Sequence, residues 1–168
     1  MIAVWWNFFY MCGSSAAALM GLMFVAVTLG WRLIKKETIA LTHTFLTAIV
    51  FHFLQVLLLC ILTAVPVESP LLLAGAAVAS SLLRLIGIPA TCKRLKEESA
   101  RVEITRSDWF NIVVMPSCVY LALITAGVGL FLGAFWAIPL LAGSCLVMLM
   151  GSAYGAWDML IWIATTLE

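Results

Sequence analysis

Charge is what this chain has least of. Only 10% of its 168 residues are Asp, Glu, Lys or Arg, against 65% hydrophobic, and the mean hydropathy is +1.16. A water-soluble domain of this length needs far more polar surface, so composition alone places the chain in a membrane. The net charge is +1, which gives no general attraction for polyanions and no reason to expect a nucleic-acid partner. Paired cysteines are missing too. Cys12, Cys60, Cys92, Cys118 and Cys145 stand singly with no C-x-x-C, so zinc, iron–sulfur and disulfide frameworks lack the required spacing. A lone cysteine in an apolar run acts as a small hydrophobe. The segment Met1 to Tyr10 carries no basic residue, and its apolar run outlasts a signal peptide; it reads as a retained helix. There is no G-x-S-x-G, no H-E-x-x-H and no Walker loop. Without paired carboxylates or a nucleophile beside a base, the expectation is a protein that is not an enzyme and holds no cofactor or metal. No low-complexity tract or internal repeat stands out.

What the chain does have is long apolar runs. The first extends from about Trp5 to Leu33, between an aromatic cluster (Trp5, Trp6, Phe8, Phe9, Tyr10) and a basic stop (Arg32, Lys35, Lys36). A second runs over roughly 39–65 and ends at the proline-bracketed turn Pro66 to Pro70. A third covers about 71–91, a fourth about 108–132 and a fifth about 139–165, with Pro139 suited to a first helical position. Each exceeds the roughly 20 apolar residues needed to cross a bilayer. The expected fold is an all-α membrane protein: five transmembrane helices in one bundle, a single polytopic domain over 1–168.

Eight of the nine Lys and Arg residues, all but Arg84, fall in the connections between helices one and two and between helices three and four. The positive-inside rule puts those connections in the cytoplasm, the N-terminus outside and Glu168 inside. That assignment depends on the Phe135–Pro139 link being a turn. If it is only a kink, the C-terminus moves outside. The loop 93–107 mixes both signs; it reads first as a solvated loop with basic anchors. A short surface helix using Leu95, Val102 and Ile104 is the alternative. Ser107 or Asp108 can cap helix four.

Small residues mark close helix contacts in lipid. Gly13, Ala17 and Gly21 recur every four residues on helix one, Ala122 and Ala126 then Gly129 and Gly133 on helix four, and Gly151 and Gly155 near Ser144 and Ser152 on helix five. Packing inside one bundle accounts for all of them, while one stripe could also join subunits. A homo-oligomer, or docking on another membrane protein, is expected.

Ionisable groups inside apolar runs are costly and therefore informative. Arg84 and Asp158 each lie roughly 10–12 Å inside a cytoplasmic helix end, counted at 1.5 Å per residue, which suggests an ion pair. Otherwise Arg84 snorkels to the headgroups and Asp158 bonds to water or to Asn111. His52 and Gln55 sit near mid-membrane, with Thr44 and Ala48 continuing the face. They read either as a polar stripe on a water-filled path or as interhelical hydrogen bonds to Ser80, Ser81 or Ser117. His43 and His52 are about half a turn out of phase, so one helix cannot offer both to one haem. Pro116 removes a backbone hydrogen bond from helix four and can bend it. Trp157 and Trp162 read as interfacial anchors.

Two stretches resemble a group of small, uncharacterised bacterial multi-pass membrane proteins. Ala16 to Leu29 (AAALMGLMFVAVTL) is similar to that group's first helix, and Gly151 to Asp158 (GSAYGAWD) is similar to its ending. The group often has an asparagine before Ala-Trp-Asp, whereas this chain has Gly155. The resemblance implies a bacterial inner-membrane protein and adds weight to Asp158; it brings no activity with it. The functional expectation is a homo-oligomeric channel or permeation protein with a polar intramembrane path, or else a non-catalytic accessory subunit of a larger membrane complex.

Overall fold

The computed structural model describes residues 2–30, 39–65, 71–99 and 109–165. The expected turn at Pro66 to Pro70, most of 93–107, Ser107, Asp108 and the side chain of Asn111 lie outside those residues. The described residues form five α-helices: α1 (Ile2–Gly30), α2 (Ile39–Ala64), α3 (Leu71–Ser99), α4 (Met115–Phe131) and α5 (Ala137–Thr165). A π-helical segment, Phe110–Val114, leads into α4. Four of the helices, all but α4, are long and apolar enough to cross a membrane. The outer surface is apolar as well: Val4, Leu29, Leu83 and Ile86 are each more than two-thirds exposed. Such a surface is untenable in water and ordinary in lipid, so the chain is membrane-embedded.

The helices follow from the solvent. In hydrocarbon every backbone N–H and C=O must be satisfied within the segment. The hydroxyls do the same locally. Ser14, Thr125, Ser144 and Ser152 donate to carbonyls four residues earlier, at 2.7–2.9 Å, and Ser117 donates to the Val113 carbonyl.

Consecutive helices run antiparallel. Gly129 lies against Trp136 and Ala137 near the α4–α5 turn, while Gly151 meets the Met115 methyl at the far end. Gly127 lies on Ala74, Ala77 and Val78 of α3, and Gly13 on Cys60 of α2. The bundle closes as a ring α1–α2–α3–α4–α5, with α2 and α5 also packed on each other across the middle.

The Gly133 link is a turn. Gly133 has φ +68°, its N–H donates to the Leu130 carbonyl, and the Ala134 N–H donates to the Gly129 carbonyl at 2.8 Å. These two bonds close a helix end through a left-handed residue that glycine adopts without Cβ strain. α5 begins two residues before Pro139, which sits in the first turn, where its missing N–H has no intrahelical acceptor to lose.

Two elements depart from the expected bounds. α3 continues to Ser99 where a solvated loop was the first reading. Lys, Arg, Leu and Glu are good helix formers, and Leu95, only 1% exposed, anchors the extension. At α4, Pro116 is absorbed without breaking the helix. The Met115 N–H reaches the Phe110 carbonyl five residues back, so the widened turn precedes the proline.

Candidate functional site: a polar cavity between α2, α3 and α4

Near the end of the bundle where α2 begins and α3 ends, the three helices part around a cavity of about 290 Å³. Its α2 wall is His43, Thr44, Thr47, Ala48, Phe51 and His52, one face of a helix at spacings of three, four and one. α3 contributes Leu83, Arg84, Gly87, Ile88, Ala90 and Thr91, and the α4 side adds Val113, Pro116 and Tyr120. The π segment and Pro116 thus shape the floor, and such widened turns recur at functional positions.

The charge in this cavity belongs to Arg84. Its guanidinium carbon stands 3.4 Å from the centre of the Phe51 ring, a cation–π stack between α3 and α2. Stacking uses the flat face of the guanidinium and leaves its N–H edge available. His52 and Tyr120 lie beside it with ring centroids 6.1 Å apart and planes tilted by 57°. At the rim, the Thr47 hydroxyl is 3.5 Å from Nδ1 of the exposed His43. No carboxylate lines the cavity among the described residues. The wall is rich in donors and net positive.

Further along α2 from the cavity, the described side chains pack together. About one turn further along α2, the buried Gln55 amide donates to Ser80 Oγ at 2.8 Å, and Ser80 in turn donates to the Ala76 carbonyl. Phe53, Val56, Leu59 and Leu123 fill this level and are buried. Of the serines the sequence offers as partners, Ser80 is the one used. Ser81 is fully buried and its hydroxyl has no partner among the described residues.

Arg84 and Asp158 are not brought together. Asp158 is exposed on α5, and no ion pair joins the two. α3 packs on α2 and α4, while α5 occupies the other side of those helices. The level differs as well: Gly155 contacts Ile49, whereas Arg84 contacts Phe51, which places Asp158 more than one helical turn nearer the helix ends. Equal counting from the ends of two helices fixes neither their neighbours nor their azimuth.

The small-residue stripes divide. Ala126, Gly127 and Gly129 are buried, Gly151 and Gly155 contact Met115 and Ile49, and Ala122 is half-buried, all inside the chain. Gly133 is the turn. On α1, Gly13 is buried against Cys60, but Ala17 and Gly21 face outward, and nothing lies within 4 Å of a Cβ placed at Gly21.

Sequence reasoning passed over Phe51, Tyr120, Gly87 and Gly127. Phe51 and Gly87 look like ordinary membrane-helix residues, and no pattern distinguishes them. Tyr120, one turn after Pro116, carried a usable signal: a hydroxyl inside an apolar run needs a partner or water.

These features define a membrane-embedded five-helix bundle with a cationic cavity lined in part by hydrogen-bond donors. Compared with protein-family models, with characterised proteins and with solved structures, the chain matches none.

Proposed function

We propose that this protein is a permeation protein of the bacterial inner membrane, working as a homo-oligomer, with the α2–α3–α4 cavity as the vestibule of its polar path. The observation that carries this is Arg84 stacked on Phe51 beside His52 and Tyr120 in an open cavity inside apolar helices. A cation and a histidine that served only packing would be covered by neighbours, because burying them is costly.

In this reading α4 is the fifth crossing. Together with Trp109 and the π segment it is a continuous helical run to Phe131, about 34 Å long at 1.5 Å per residue. The N-terminus is then outside, the C-terminus cytoplasmic, and the cavity opens toward the cytoplasm, where the basic connections lie. The packed level at Gln55–Ser80 is the gate, which opens when subunits or helices shift.

The test is solute flux in liposomes holding the purified protein. His52→Ala and Arg84→Leu are expected to lower flux strongly, and Asp158→Asn, off the cavity, to leave it unchanged. A purified oligomer that conducts no ion or small solute removes the permeation reading.

A second reading, an accessory subunit of a larger membrane complex, draws on the outward Ala17 and Gly21 of α1, a face suited to close contact with another helix. A monomer in detergent that co-purifies with another membrane protein favours it; a symmetric oligomer of this chain alone favours the first.

A further inference from the structure

The donors around the cavity converge on one kind of ligand. Arg84 offers the N–H edge of a guanidinium whose face is already stacked on Phe51. Tyr120 offers a hydroxyl from α4, and the Thr47 hydroxyl on α2, 3.5 Å from His43 Nδ1, lines the same space, while Thr91 donates its proton to the Gly87 carbonyl. Donors arriving from three helices suit an acceptor that projects oxygens in several directions. A carboxylate presents its acceptor sites in one plane, while a tetrahedral oxyanion also projects oxygens out of any one plane. With no carboxylate on the described wall, nothing there competes for Arg84.

We propose that the cavity is a binding site for an oxyanion of the phosphate class, gripped by Arg84 with help from Tyr120. The inference rests on the reading of the cavity as a vestibule and names what that vestibule accepts.

Size and placement bear on the source of the phosphate. The volume, about 290 Å³, is at the lower bound of the roughly 300–1,000 Å³ of small-molecule sites and has room for a headgroup, more than a bare ion needs. The α2–α3 side is open: Phe51, Leu83 and Gly87 line the cavity and are also exposed on the lipid-facing surface. Gly87 has nothing within 4 Å of an added Cβ, so the mouth is bounded there by backbone alone. A phosphate can therefore arrive on a lipid headgroup from the side or as free anion from the membrane face.

Calorimetric titration of the full chain in dodecyl maltoside separates these sources. One arm uses dioctanoyl phosphatidylglycerol, a second uses sodium phosphate, and dioctanoylglycerol is the neutral control. Saturable binding in either phosphate arm is expected, weakened about tenfold or more in Arg84→Gln, because a charge-assisted bond is lost. Gly87→Phe, whose Cβ meets nothing within 4 Å and whose ring adds bulk at the mouth, is expected to abolish binding of the lipid. It keeps the test intact should Arg84→Gln fail to fold. Binding in the lipid arm alone assigns the headgroup; binding in the phosphate arm assigns the free anion. Equal affinity for dioctanoylglycerol, undiminished binding in both variants, or no binding in either phosphate arm overturns the proposal. Binding is scored without flux, so a chain that binds but conducts nothing loses only the permeation reading, and one that conducts without binding loses only this site.

Discussion

The same pair of helices, α3 and α4, behaves differently at its two ends. At one end Gly127 rests on α3 so closely that an added Cβ would lie 2.6 Å from a Val78 methyl and 3.0 Å from the Ala74 carbonyl oxygen. At the other end, Arg84, Gly87, Pro116 and Tyr120 stand around open space. The residues explain the contrast. Alanine and glycine let backbones approach, and in lipid close approach is the main source of helix association. A guanidinium, a phenol and a proline preceded by a widened turn hold backbones apart. The apolar half holds the fold together, and the polar half holds a cavity open.

Substitutions can break or sharpen that contrast. The largest effect is expected for Gly127→Val. Its branched side chain meets backbone that cannot swing aside, so overpacking should cost about 3 kcal/mol, read as a large drop in the unfolding midpoint in detergent. An unchanged midpoint would mean that α3 and α4 are not in close contact there. Next is Gly133→Ala at the same end. A Cβ in the left-handed region costs about 1 kcal/mol, and circular dichroism during thermal unfolding should show it. Gln55→Leu comes third. It removes the strap to Ser80 between the closed level and the cavity, and membrane interhelical bonds average about 0.6 kcal/mol. A loss of several times that size would make Gln55 part of a larger buried network. The smallest effect is expected for Gly87→Ala on the open side, within about 0.5 kcal/mol of the parent, since its Cβ meets nothing. A clear destabilisation would show that the cavity collapses in the membrane.

Length and hydropathy made the helices legible, because an apolar run of more than 20 residues has one common solution in lipid. The helical spacing of Thr44, Ala48 and His52 was legible too, and they share the α2 wall. His43 and His52 stand half a turn apart, as their spacing gives, and both line the cavity. The α3 extension was not expected because a run of charges suggests solvent, while Leu95 is buried within it. Pro116 was visible in the sequence but the π turn that accommodates it was not, since no residue type specifies a five-residue hydrogen bond. The Arg84–Asp158 pairing failed for a general reason: sequence gives depth along a helix, and contact also needs azimuth and neighbours.

In the proposed permeation reading, water reaches the level of His52 and Arg84 from the cytoplasmic face and stops at Gln55–Ser80. Single cysteines at Thr47, His52 and Leu123, in a chain otherwise free of cysteine, test it with a membrane-impermeant anionic thiol reagent applied to each side in turn. Modification of Thr47→Cys and His52→Cys is expected from the cytoplasmic side only, and none of Leu123→Cys from either side. Modification of His52→Cys from the outside, or of neither cavity position from the cytoplasm, would contradict it.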